Sequence, residues 1–188
     1  MSREYIEVRF HGRGGQGIVT ASSLLSQAFF LEGKYPQSVP LYGPQRRGAP
    51  VTVFLRVGEE QIHQRSWVYH PRYVVVLDDS LVEIANVTQG VPAGGLFLLN
   101  TPHTSRESLG LDSSFSVAGV DADEIAYRRH LGGPPYPRIN TLMLAAFAKV
   151  TALIALDSVI AAALGKFPQK DDRMTAGMHE AYERATLL

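Results

Sequence analysis

Apolar and polar residues alternate over residues 5–10, placing Ile6, Val8 and Phe10 on one face, and this period of two predicts a first strand. Beyond a run of glycines, Ile18, Ala21, Leu25, Ala28 and Phe29 recur at helical spacing until Gly33, which predicts a first helix with a glycine stop. Residues 38–41 are expected to form a short strand. The following stretch, 42–50, reads as an irregular loop because Gly43, Pro44, Gly48 and Pro50 punctuate it. Residues 51–57 read as another strand, with Gly58-Glu59-Glu60 turning into a hairpin partner over 61–65, so part of the sheet is expected to be antiparallel.

The continuous β-branched run 73–77 has the pattern of a central strand covered on both faces. Asp78 or Asp79 is then placed to cap a short helix through Asn86. Strands are predicted over 95–99 and 115–120, and Asp121 with Glu124 forms a capping-box pattern for a helix reaching about Leu131. After Gly132-Gly133-Pro134-Pro135 the chain reads as helices over 140–156, 157–164 and 171–185. The expected architecture is a three-layer α/β/α domain with a mixed, mainly parallel sheet and a helical C-terminal tail, a single domain over residues 1–188. Trp67, Tyr69 and Tyr73 are assigned to the core. In the tail, Leu142, Leu144, Phe147, Val150, Leu153, Ile154, Val159 and Ile160 fit no single helix face, which is expected to mean burial against another subunit.

Composition narrows the functional classes. Lys plus Arg and Asp plus Glu number 18 each, so no global field draws the chain to nucleic acid, and any anion site must be local. The chain has no cysteine, which removes disulfides, iron-sulfur ligation and thiol nucleophiles from it. Asn140, Lys149 and Asp157 interrupt the apolar stretch 139–164, so no membrane insertion is expected. The N-terminus lacks the apolar core of a signal peptide, and a cytoplasmic location is expected. The six histidines show no metal-ligand spacing, and neither a metal site nor a catalytic residue is assigned. His11, just before the glycines, is read as structural, and Asp78-Asp79 as caps rather than an acid-base pair.

The candidate chemistry sits in Gly12-Arg13-Gly14-Gly15-Gln16-Gly17. A strand, closely spaced glycines and a helix start are the arrangement in which backbone amides and a helix N-terminus converge on a phosphate. A dinucleotide fold would add an acidic residue for the ribose hydroxyls at the end of the second strand, and none stands there. Arg46 and Arg47 instead favour a phosphorylated ribose, as in NADP or coenzyme A. Asn100, at a strand end, is placed either in the same crevice or in a turn. Two Arg contacts plus loop amides would supply about 4–8 kcal/mol before ordering costs, which corresponds to roughly micromolar to millimolar binding.

The glycine segment, Tyr42-Gly43-Pro44-Gln45-Arg46-Arg47-Gly48, the strand ending at Asp78, the segment from Gly94-Gly95 to Asn100, and Asn140-Thr141-Leu142-Met143-Leu144 together resemble the gamma subunit of 2-oxoacid:ferredoxin oxidoreductases. The resemblance implies an enzyme that decarboxylates a 2-oxoacid oxidatively and releases an acyl-CoA, with this chain as a non-catalytic part. It places thiamine diphosphate, Mg2+ and 4Fe-4S clusters on alpha, beta and delta-type partner subunits, with electrons passing to ferredoxin or an NAD-linked acceptor. It assigns the coenzyme A phosphates to the amides of Gly14, Gly15, Gln16 and Gly17, with Arg46 and Arg47, alongside a role in assembly; Gly12 and Arg13, as part of the same glycine segment, and Asn100, on the crevice argument, join them as expected cofactor-binding residues. The chain departs from the family at Gln45, where Glu is frequent, and at Ala49, where a second Gly is frequent. The alternatives are an independent NADP-dependent oxidoreductase using the same loop, although no Tyr-x-x-x-Lys set accompanies it, and an assembly module whose loop binds nothing.

Overall fold

The computed structural model describes residues 5–41, 48–64, 66–133, 136–167 and 172–188. Arg46 and Arg47, with most of the loop around them, lie outside the described residues. The central strand is β1 (Ile6–Arg13), and it is where the sheet changes character. On one side it pairs antiparallel with β3 (Pro50–Gly58), which pairs antiparallel with β2 (Tyr35–Pro40). On the other it runs parallel to β4 (Tyr73–Val76), followed by parallel β5 (Leu96–Asn100) and β6 (Ser116–Val120).

A short β9 (Thr186–Leu187) returns antiparallel on β6, giving the order β2-β3-β1-β4-β5-β6-β9. Five of these seven strands point the same way, so the sheet is mixed and mainly parallel. Gly132–Gly133 (β7) and Tyr136–Pro137 (β8) form a separate two-stranded ribbon.

Strand alternation separates two cores. Val8 and Phe10 on β1 and Val53, Leu55 and Val57 on β3 face the larger one, which is covered by α1 (Ile18–Leu31), α3 (Ala122–Arg128), α4 (Asn140–Thr151), α5 (Leu156–Lys166) and α6 (Asp172–Arg184). The opposite face holds Val74, Val76, Phe97, Leu99 and Val117 beneath α2 (Leu81–Ile84) and a 3-10 turn at Arg106–Leu109. Among the described residues no helix is long and apolar enough to cross a membrane.

Several expectations are corrected. Residues 61–64 form no strand, so the hairpin over 61–65 does not exist; the antiparallel pairing is made by β2, β3 and β1 instead. Helix α2 starts after Ser80, because Asp78 and Asp79 are drawn into contacts with Arg13 and Thr101 rather than capping it. Helix α3 stops at Arg128, where His130 and Gly132 take positive φ and turn the chain, while Asp121 caps its start by accepting from the Glu124 amide at 2.8 Å.

The apolar tail needs no second subunit to bury it. Helix α4 is wedged between α1, α5, α6 and the sheet, so every residue from Asn140 to Ala148 is buried within this chain. A helix buried on all sides carries apolar residues on all sides, which is why no single face collected them. Tyr73 is half-buried with its ring edge-on to Phe147 at 6.0 Å, but Trp67 and Tyr69 are 42% and 62% exposed and are not core.

Phe147 is among the largest fully buried side chains, at the contact of α4 with the sheet. Phe147→Ala is expected to cost about 3–5 kcal/mol of stability through lost burial and an unfilled cavity. Urea unfolding should show the lower midpoint; a variant within 1 kcal/mol of the parent, on the order of an exposed-site change, would contradict this packing.

Candidate functional site

The chain leaves β1 toward β2 and β3 on one side and returns to β4, β5 and β6 on the other, so a crevice opens where the carboxyl ends of β1 and β4 diverge. A cavity of about 330 Å3 lies there, lined among others by Arg13, Asp78, Asp79, Asn100, Asp123 and Tyr127. The glycine segment forms its rim. Gly12 and Arg13 are the last residues of β1, because register with β3 continues to the Arg13–Pro50 pair, so the strand runs three residues past Phe10. A Cβ on Gly12 would stand 3.2 Å from Ile18 Cδ1, which is how closely helix and strand approach at this turn.

Not every amide of the loop is free. The Gly14 amide donates to the Ala49 carbonyl, and the Gly48 amide donates to the Gly14 carbonyl, each at 2.9 Å. The Gln16 amide donates to the Arg13 carbonyl at 3.0 Å, while Gln16 Oε1 accepts from the Arg13 amide at 2.6 Å. The amides of Gly15, Gly17 and the first turn of α1 have no acceptor among the described residues, and no side chain caps that helix. Gly15 and Gly17 hold φ of 104° and 76°, left-handed values that favour glycine. Gly17 is constrained twice, since a Cβ there would lie 2.8 Å from Nδ2 of the buried Asn140.

Arg13 lies beside the loop but its guanidinium is engaged. It pairs with Asp78 at 2.6 Å, donates to Ser80 Oγ at 2.8 Å and reaches the Gly48 carbonyl at 3.3 Å. Asn100 lines the cavity and is likewise occupied. Its Nδ2 donates to the Leu77 carbonyl at 3.1 Å and to Asp123 at 2.8 Å, and its Oδ1 accepts from the amides of Ala122 and Asp123. This side chain clamps the ends of β4 and β5 to the start of α3.

The crevice is acidic. Asp79 accepts from Thr101 Oγ1 at 2.8 Å, and Asp123 titrates above the usual Asp range, chiefly because burial disfavours its charge and further because Asp121, Asp78 and Asp79 are near. Among the described lining residues three carboxylates face one guanidinium, that of Arg13, which pairs with Asp78. Asp123 and Asn140 carried no functional reading in the sequence. Asp123 was hidden inside a helix-capping run, and Asn140 was visible only as a break in an apolar stretch and as part of a family pattern.

His11 is 96% buried in β1, and its Nε2 has no hydrogen-bond partner among the described residues. Its pKa is lowered to about 3, first by burial and then by the Arg9 charge, so its imidazole is neutral near neutral pH.

Fold and site together define an open α/β domain with a glycine-lined, amide-rich helix start at its topological switch point. The family model described as pyruvate ferredoxin/flavodoxin oxidoreductase matches residues 7–186. The pyruvate/ketoisovalerate oxidoreductases common subunit gamma of Thermococcus litoralis is 42% identical over 185 residues, covering 97% of this chain and 98% of that one. The crystal structure of pyruvate oxidoreductase subunit PORC from Thermotoga maritima superposes with a TM-score of 0.82 at 31% identity, over 98% of this chain and 99% of that one. A 2-oxoglutarate:ferredoxin oxidoreductase from Magnetococcus marinus, solved with 2-oxoglutarate, coenzyme A and succinyl-CoA, shares the fold at a TM-score of 0.75 and 15% identity; the match covers 97% of this chain and 30% of that longer one. The chain belongs to the pyruvate ferredoxin/flavodoxin oxidoreductase family, as a gamma-type subunit.

Two outcomes follow from the geometry. Gly17→Ala should destabilise by about 1–3 kcal/mol, since an alanine must hold φ near 76°. Adding Asn140→Ala should return the steric share, so the double variant should lose less than the two singles combined; simple additivity in urea melts would refute the contact. For His11, the folded pKa lies below the usual 6.5, so the unfolded chain binds the proton first as pH falls. Stability should therefore drop from about pH 6.5 toward about pH 3, by roughly 3–5 kcal/mol, and His11→Leu should flatten that part of the curve. An unchanged curve would show that His11 does not titrate this way.

Proposed function

We propose that this chain is the gamma subunit of a multisubunit 2-oxoacid oxidoreductase that converts a 2-oxoacid to an acyl-CoA, and that its glycine rim receives phosphate of coenzyme A. The observation that carries the reading is the uncapped start of α1, whose first-turn amides stand beside those of Gly15 and Gly17 at the switch point. Through the bonds of Gly14 to Ala49 and Gly48, this rim is tied to the loop that carries Arg46 and Arg47 in sequence. The acidic crevice repels phosphate, so the anion belongs on the outer, glycine side and not against Asp78, Asp79 and Asp123. Arg13 and Asn100 then serve as braces that hold the rim, and the direct contacts fall to the amides of Gly15 and Gly17, the α1 start and Arg46 and Arg47.

The Magnetococcus marinus enzyme of this fold carries coenzyme A and succinyl-CoA, which supports a coenzyme A reading for the family architecture. The Thermococcus litoralis relative is common to pyruvate and ketoisovalerate enzymes, which supports placing 2-oxoacid choice on other subunits. In this reading thiamine diphosphate, Mg2+ and 4Fe-4S clusters sit on alpha, beta and delta-type companions that pass electrons to ferredoxin or an NAD-linked acceptor. This chain, without cysteine, supplies coenzyme A binding and assembly.

Coenzyme A titrated calorimetrically into the assembled complex should bind at least about 10-fold more weakly after Arg46→Ala with Arg47→Ala, a loss of about 1.4 kcal/mol or more. Unchanged affinity would remove both from the site. Dephospho-coenzyme A should bind more weakly than coenzyme A if these residues meet the 3′-phosphate. Reduction of NADP by the isolated chain would replace the subunit reading with the independent-enzyme one.

A further inference from the structure

The face of the sheet opposite α1 is covered unevenly. Over β4, β5 and β6 it is closed by α2 and the 3-10 turn, whereas over β2, β3 and β1 the described residues that lie on it are the strap around Ser66 to His70 and the Val87 to Gln89 segment against Arg9. Alternation puts Arg9 and His11 of β1 and Phe54 and Arg56 of β3 on this side. Two guanidinium groups are therefore buried here, with contrasting surroundings. Arg56 is 2% exposed and meets Glu7 at 2.8 Å, besides donating to the Ser66 and Trp67 carbonyls. Arg9 is 6% exposed and donates to the Val87 and Gln89 carbonyls at 2.6 and 2.7 Å; its Nε has no partner, and no carboxylate pairs with it among the described residues. A buried charge held by carbonyls alone is expensive, and an external anion is the missing counterpart.

Arg9 forms part of the wall of a cavity of about 300 Å3, whose other walls include Leu41, Phe54, Trp67, Tyr69 and Gln89. The rim is apolar and open: Val39, Leu41, Trp67 and Tyr69 are 37%, 40%, 42% and 62% exposed. It is also rigid. The Trp67 ring packs tilted against Phe54 at 5.6 Å between centroids, and a Cβ on Gly90 would come within 2.1 Å of the Tyr69 carbonyl, so only glycine there lets the strap lie this close. Aromatic residues fixed around a central Arg are the composition of the core of a protein interface.

We infer that this face docks a companion subunit, which inserts an Asp or Glu side chain, flanked by apolar residues, over the Arg9 guanidinium. The inference rests on the subunit reading above and adds where on this chain assembly occurs. A small carboxylate would satisfy the charge but leave the apolar rim bare, which is why a protein segment is the better occupant. Insertion neutralises the Arg9 charge that the isolated chain leaves uncompensated, and it removes Trp67 and Tyr69 from water.

The test compares the isolated chain with the assembled enzyme carrying its companion subunits. Amide hydrogen exchange across 66–70 should slow at least about 10-fold on assembly. Tyr69→Glu, which sets a like charge at the rim, should weaken association at least about 10-fold in sedimentation while the isolated chain melts as the parent does. Arg9→Met should weaken association and flatten its salt dependence; if it also impairs folding, Tyr69→Glu carries the test by itself. Assembly of Tyr69→Glu with parental affinity and no protection of 66–70 would overturn the docking site while leaving the subunit reading intact. Failure of the parent chain to assemble at all would overturn both. A Tyr69-dependent dimer of the isolated chain would overturn it in favour of self-association. An Arg9-dependent rise in melting temperature with acetate or inorganic phosphate, without exchange protection on assembly, would overturn it in favour of a small-anion site.

Discussion

The structure depends on the double pairing of β1, antiparallel to β3 and parallel to β4. At the carboxyl ends of β1 and β4 the chain departs to opposite faces of the sheet, into α1 from one and α2 from the other, and a gap opens between them. Arg13 bridges the gap: its backbone ends the antiparallel ladder while its guanidinium reaches Asp78 beyond β4. Gly14 adds the link to Gly48 and Ala49, so the glycine rim is held from both sides. Such bracing fixes the direction of the remaining amides, and fixed dipoles are what a phosphate site requires.

Charge is distributed in the same economical way. The crevice carries carboxylates, and Asp123 among them resists ionisation because it is buried near others. The glycine side carries amides and, in sequence, two arginines. An anionic ligand with a longer body would thus be oriented by repulsion from one wall and attraction to the other. On the far face Arg56 meets Glu7, while among the described residues Arg9 is held by the carbonyls of Val87 and Gln89 and by no carboxylate.

Much of the fold was legible because local pattern reports element type. Period two over β1, helical spacing over α1, the Asp121–Glu124 cap and the β-branched run of β4 all appear where the sequence places them. The hairpin over 61–65 was misread because a Gly-Glu-Glu turn signals reversal without saying which strand accepts the partner, and β2 had already taken the edge of β3. The tail was misread for a related reason. Periodicity shows how many faces of a helix are apolar, not what covers them, and α4 is covered on all sides by its own chain.

The sequence by itself determined the order of elements, the glycine turn between strand and helix, the lack of cysteine and the family. These follow from neighbouring residues, whose backbone preferences and periodicity act over a few positions. Tertiary structure alone decided which polar groups remain available. Arg13 meets Asp78 across 65 positions of sequence and Asn100 meets Asp123 across 23, so side chains that the sequence offered for a ligand are engaged within the fold. The physical reason is that hydrogen-bonding capacity is spent on whatever the fold brings near, and only the folded chain reveals what is left for a ligand.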